Sequence, residues 1–131
     1  MAIRFIPDDI VPLIHADLLR RYGGRSGLRD RNLLASALAQ PKMTFEGRFL
    51  NRTVFDKAAA YGYHIGKDHP FVDGNKRLAF VLIDIFLQRN GWNLTASEED
   101  TYSIMITLAR SELTKSALAK WLRQHSAKTP T

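Results

Sequence analysis

The stretch His69-Pro70-Phe71-Val72-Asp73-Gly74-Asn75-Lys76-Arg77 gathers an imidazole, a carboxylate and two cations around a glycine turn. Pro70 disfavours helical dihedrals at the residue before it, so His69 should leave any preceding helix and point in a fixed direction from a loop. Phe71 can pin that loop to a core. Gly74 permits a tight turn or close backbone approach. If a helix starts just after it, Asn75, Lys76 and Arg77 fill a first turn whose N–H groups have no intrahelical acceptor and form an anion site. Positive side chains there cost about 0.3–1 kcal/mol each unless something negative compensates, and a polyphosphate would do so. Asp73 offers the hard oxygen ligand that Mg²⁺ prefers when it also bridges phosphates. The His69 imidazole can take a proton from an incoming hydroxyl. Cationic and backbone donors, a metal ligand and a base are the parts phosphoryl or nucleotidyl transfer needs. The G-x-x-x-x-G-K-[ST] and G-x-G-x-x-G phosphate loops are both absent, so this segment must carry any phosphate binding.

The elements around it read as helices. Ile10, Leu13, Ile14, Leu18 and Leu19 predict a helix over about 8 to 22, stopped by Gly23-Gly24, and Leu33, Leu34, Ala37 and Leu38 a second over 30 to 39. Residues 41 to 52 lack a helical period and read as a loop or short hairpin. Val54, Phe55, Ala58, Tyr61 and Ile65 give a third helix over 53 to 67, where Ala59, Ala60 and Gly62 are small enough to admit a neighbour closely. Residues 78 to 87 are apolar except for Asp84, which predicts a central buried helix over 75 to 90. Asn90-Gly91 closes it, Trp92-Asn93-Leu94 is briefly extended, and two more helices follow, from Ser97 to about Arg110 and from Thr114 to about Gln124, before a frayed polar tail. The expected fold is all-α, a compact bundle of about six helices forming one domain over residues 1 to 131.

Composition narrows the classes. At 131 residues and 45% hydrophobic, the chain can bury one proper core. It has no cysteine, so any metal must sit on oxygen or imidazole. Without a long apolar run or a signal-peptide pattern, a cytoplasmic chain with no membrane association is expected. The net charge of +6 is scattered, never more than two basic residues in a row, and suits an acidic protein partner or a nucleotide as well as nucleic acid.

Residues 69 to 77 resemble the Fic/Doc signature H-x-F-x-[DE/N]-[GA]-N-[GK]-R. Tyr22-Gly23-Gly24, Gly27-Leu28-Arg29-Asp30, Leu34 to Leu38 and Ala58-Ala59-Ala60 are similar to chains of the Doc (death-on-curing) toxin branch. The resemblance implies a Fic/Doc-type helical bundle in which His69 activates the target hydroxyl and Asp73 binds Mg²⁺. It assigns the ATP phosphates to Gly74, Asn75, Lys76 and Arg77, with Pro70 and Phe71 packing the motif. Where the AMP-transferring pattern H-x-F-x-[DE]-G-N-G-R-x-x-R has glycine and a second arginine, this chain has Lys76 and Phe80. The Doc branch carries lysine there, which implies transfer of the γ-phosphate to a Ser/Thr hydroxyl, the family's target being a threonine of translation elongation factor Tu. Gly74, alanine in some Doc chains, keeps AMP or nucleotidyl transfer as the alternative. The inhibitory pattern [ST]-x-x-x-E-[GN] fails, because Lys42 stands four residues before Glu46. The resemblance therefore implies a Phd-like antitoxin whose C-terminal segment fills a groove, and residues 41 to 52 are the candidate flap for the target backbone.

Taken singly, these residues have plainer readings. Asp73 is most simply an N-cap, Lys76-Arg77 a solvated pair and Gly74-Asn75 a turn. His64 reads as packing, and His15 and His125 have no companions that suggest a site. Asp84 should pair with Arg20, Arg21 or Arg89. A third class, a basic helical nucleic-acid binder using 8 to 22 and 30 to 39 as a crude helix-turn-helix, predicts indifference to His69→Ala; direct nucleic-acid binding is not expected from charge so dispersed.

Overall fold

The structure, a computed structural model, describes residues 2–130. Six helices carry it: α1 (Val11–Tyr22), α2 (Arg31–Ala39), α3 (Val54–Asp68), α4 (Asn75–Arg89), α5 (Glu98–Ala109) and α6 (Lys115–Gln124). This is the all-α bundle that the hydrophobic periods predict. Helix starts are set by side chains that accept orphan N–H groups. Asp30 accepts from Leu33, Ser97 from Asp100 and Thr114 from Ala117, while Thr53 and Asp56 form a reciprocal capping box at α3. Among the described residues no helix is long and apolar enough to cross a membrane.

Two antiparallel ribbons complete the fold. β1 (Thr44–Phe45) and β2 (Arg48–Phe49) form a hairpin whose turn, Glu46-Gly47, has φ of 51° and 78°. Positive φ at both turn residues matches the right-handed twist of the flanking strands. β3 (Trp92–Leu94) pairs with β4 (Ser126–Lys128), Asn93 opposite Ala127. The tail expected to fray is therefore a strand. Its short polar sequence has no apolar alternation to mark it, and the N–H groups of Thr95 and Thr129, bonded to His125 and Gly91 carbonyls, hold it in place.

α3 lies at the centre, against α2, α4, α5 and α6, with Ala58, Ala59, Ala60, Tyr61 and Ile65 fully buried. α4 is buried on one side through Leu78, Ala79, Leu82, Ile83, Phe86 and Leu87. Its other side, with Phe80, Val81, Asp84 and Ile85, is only partly covered, so the central place expected for α4 belongs more fully to α3. Asp84 makes no ion pair among the described residues. Arg20 and Arg21 both turn to Asp17, at 3.0 Å each, and Asp84 faces a cleft wide enough to stay hydrated without a partner.

Two polar groups of α3 turn inward, which its hydrophobic spacing does not signal. Lys57 is 1% exposed, its Nζ donating to the carbonyls of Asn51 (2.7 Å) and Arg52 (3.0 Å) and lying 4.1 Å from the Phe49 ring centre. Burial lowers its pKa against the opposing pull of Asp56. Three contacts keep the charge satisfied and bolt the return of the hairpin to α3. His64 has a buried Nε2 with no hydrogen-bond partner. Burial first, then Lys115 and Lys67, push its pKa below 6.5, with Asp68 opposing. Acidification below pH 6.5 makes the unfolded chain take up this proton before the folded one, so stability is full above 6.5 and falls as the pH drops toward the depressed value. Urea unfolding of wild type and His64→Gln between about pH 8 and 5 should show a shallower acid loss in the variant. Identical slopes would assign the loss to other groups.

Candidate active site

The segment joining α3 to α4 stands at one end of a cleft of about 1060 Å³, lined by His69, Asp73, Lys76, Arg77 and Tyr22 at that end and by Phe80, Leu94 and Met105 further along. A separate hollow of about 460 Å³ lies on the hairpin, among Phe45, Arg48, Leu50 and Arg52, and none of the titratable motif residues reaches it.

His69 ends α3 as its C-cap, with φ 49° and ψ 59°. Leaving the helix is what Pro70 requires, but the backbone turns left-handed rather than extended, and the imidazole is exposed. Pro70 and Phe71 are buried. The Phe71 ring stacks on His15 with ring centres 3.8 Å apart, which pins the loop to α1.

Asp73 departs from the simple N-cap. The N-cap of α4 is Gly74, φ 79°, without a side-chain bond. Asp73 Oδ1 accepts from the Gly74 N–H (2.9 Å) and Oδ2 from the Arg25 N–H (3.1 Å). These two bonds, first that from Arg25, lower the Asp73 pKa, with charge from Arg25 and His15 adding to them. The exposed carboxylate is thus held ionised, and each oxygen retains a lone pair for a metal. Among the described residues no three His, Cys, Asp or Glu side chains cluster as a ready-made metal site. A single hard carboxylate suits Mg²⁺ bound jointly with phosphate and water.

Asn75 is 6% exposed, and its side chain closes the loop on itself: Nδ2 donates to the Phe71 carbonyl (2.8 Å) and Oδ1 accepts from the Phe71 N–H (3.0 Å). What it can offer an anion is its backbone N–H. Lys76 and Arg77 are exposed, and the Arg77 guanidinium lies 4.2 Å above the Tyr22 ring. That contact partly offsets the cost of a cation at a helix N-terminus. Gly74 supplies the positive φ and the room: a Cβ would come within 3.4 Å of both His15 Nε2 and Leu19 Cδ2.

The rest of the support comes from residues 15 to 30. His15, without evident companions in sequence, is 3% exposed, and its Nε2 donates to the Asp73 carbonyl at 2.7 Å. A carbonyl only accepts, so the Nε2–H form is required. The chain from Gly27 to Asp30 runs along the motif: Arg29 and Asp30 N–H groups bond to the Pro70 carbonyl, and the Val72 N–H to Gly27. The link between α1 and α2, read alternatively as the turn of a DNA-binding motif, is spent on the motif loop. Only the likeness of Tyr22-Gly23-Gly24 and Gly27 to Asp30 to known chains hinted at this.

The Fic/DOC family model matches residues 5–87, which include α1 to α3, the motif loop and most of α4. The chain belongs to the Fic/DOC family. Toxin Doc of Mycolicibacterium smegmatis is 40% identical over 75 residues, an alignment covering 57% of this chain and 58% of that toxin. Protein kinase doc of Escherichia phage P1 is 28% identical over 120 residues, 90% of this chain and 91% of the phage protein. In this Fic/DOC chain the family's signature residues span the α3–α4 loop and the first turn of α4, with side chains of Asp73, Lys76 and Arg77 turned to one cleft and that of Asn75 turned inward.

Proposed function

We propose that this chain is a Doc-type toxin that transfers the γ-phosphate of ATP to a Ser/Thr hydroxyl of a target protein, a translation elongation factor such as elongation factor Tu, and so inhibits translation. The observation that carries the reading is the meeting of an exposed histidine, an ionised carboxylate and a cation-flanked helix N-terminus at one cleft mouth. The names of the two relatives, a toxin and a protein kinase, support it.

In this reading the acceptor oxygen forms a bond to the γ-phosphorus as the bond to the bridging oxygen of ADP breaks, and the hydroxyl proton passes to the His69 imidazole, which returns it to solvent. The N–H groups heading α4, with Lys76 and Arg77, hold the phosphate oxygens. Asp73 would hold Mg²⁺, which when bound supplies further neutralisation of phosphate charge. Lys76 brings bulk and charge where an AMP-transferring site has glycine, and Phe80, on the cleft wall, provides no second arginine. Both favour the γ-phosphate as the transferred group. An acidic, Phd-like antitoxin segment suits a chain of net charge +6.

The test is incubation with Mg²⁺ and either γ-labelled or α-labelled ATP in a cell extract, followed by mass spectrometry of the labelled protein. Label from the γ position supports the kinase reading. Label from the α position means nucleotidyl transfer, and transfer of neither counts against both.

A further inference from the structure

The His69 imidazole makes no hydrogen bond among the described residues, so no carboxylate or amide orients it as a base is commonly oriented. Its direction is set by its backbone, which has φ 49° and ψ 59°. That left-handed conformation is unfavourable for a residue with a Cβ and persists only where its surroundings hold it. The strongest local restraint comes from one residue. Arg29 Nε donates to the His69 carbonyl and Arg29 Nη2 to the Asp68 carbonyl, both at 2.7 Å. These carbonyls end α3, where no intrahelical donor reaches and the helix dipole favours a cation. The main chain of the same residue, with that of Asp30, grips the next carbonyl, Pro70, at 2.7 and 3.0 Å. Side chain and backbone of Arg29 thus bracket three successive carbonyls on the two sides of the bend.

We infer that Arg29 is the positioning residue for His69: its guanidinium locks the left-handed turn and thereby aims an otherwise unsupported imidazole into the cleft. The inference rests on His69 being the base of the proposed reaction. The planar fork matters, because Nε and Nη2 each serve one carbonyl from a single rigid plane, whereas a lysine must share one ammonium between them at the end of a flexible stem. The backbone grip on Pro70 and the Val72 bond to Gly27 do not need the side chain, so truncation should leave the loop docked and disturb the His69 peptide.

The test uses the full chain as wild type, Arg29→Ala and Arg29→Lys. By NMR, the His69 amide, bonded to Ile65 at 3.3 Å, is expected to exchange about tenfold faster in Arg29→Ala, with its Cα shift leaving the left-handed range, while the Val72 amide is unchanged. With γ-labelled ATP and the target found in extract, kcat should fall about 100-fold with KM for ATP unchanged, as expected of a misaimed group. Added guanidinium ion at a non-denaturing concentration should restore part of kcat in Arg29→Ala, and potassium at the same ionic strength should not. Arg29→Lys should fall between. Unchanged His69 resonances in Arg29→Ala overturn the assignment, and so does a disturbed His69 with full kcat. A wild-type chain inactive with both labels counts against the kinase and nucleotidyl-transfer readings and not against the Arg29 contact, because the NMR comparison needs no turnover and still decides whether Arg29 holds His69.

Discussion

His69→Asn and His69→Ala are each expected to lower the rate of phosphoryl transfer by about 10²–10⁴-fold, the usual span for loss of a general base, while Mg-ATP binds as before. The asparagine variant is the more informative. His69 occupies a left-handed conformation that Asn adopts far more readily than Ala, so Asn preserves the bend between α3 and α4 and removes only the basic nitrogen. Phosphate binding in the proposed site depends on the head of α4, Lys76 and Arg77, none of which takes a hydrogen bond from the histidine side chain. Binding by calorimetry should therefore be unchanged in both variants. If His69→Asn retains the wild-type rate, the proton must leave by another route and the imidazole is not the base. If both variants lose nucleotide affinity with rate, His69 is a binding group.

Gly62→Val should destabilise the fold by about 3 kcal/mol, at the upper end of overpacking costs, lowering the melting temperature by roughly 10 °C for a chain of this size. Gly62 lies in α3 where it crosses α4. A Cβ built there would fall against Ile83 Cδ1 far inside van der Waals contact and come 2.8 Å from Ile83 Cγ1, with the Ala79 carbonyl behind at 3.6 Å. Ile83 is 1% exposed and has nowhere to swing. Against this, replacing a mid-helix glycine gains at most about 1 kcal/mol in helix propensity, so steric displacement wins. The double variant Gly62→Val, Ile83→Ala should recover part of the loss, the coupling expected of two side chains sharing one space. Thermal unfolding of the three variants checks this, and a Gly62→Val protein as stable as wild type would show that α3 and α4 do not meet at this glycine. Because these two helices carry the ends of the motif loop, the same variant should also weaken nucleotide binding.

Much of the molecule was legible because its signals are local. Hydrophobic spacing marked α1, α2, α3 and α6 and a nearly continuous apolar run marked α4, since burial against a core selects such faces, while Ser97 with the acidic residues after it marked α5, and Thr53 and Thr114 marked starts through bonds three residues away. The motif was legible because its residue types are unusual in combination: a histidine before proline, and two cations at a helix head. β4 was not, since a three-residue polar strand has no periodicity and exists only because Trp92 to Leu94 offers it an edge. Asp84 was expected to find an arginine, but the composition of a helix does not reveal that one of its faces opens on a cleft.

From sequence alone came the family resemblance, the helical class and the identity of the residues that could take a proton, hold a metal and bind phosphate, because chemistry belongs to side chains and is carried in their order. Tertiary structure decided how those residues are used. It turned the Asn75 side chain inward to close the loop, occupied one lone pair of each Asp73 oxygen with a backbone N–H, laid Arg77 on Tyr22, and brought His15 and Arg29, 58 and 40 residues away from their partners, onto the motif backbone. No local pattern encodes such pairings. They arise only when α1 and the loop after it pack across the α3–α4 junction and the carbonyl groups exposed there take the nearest donors.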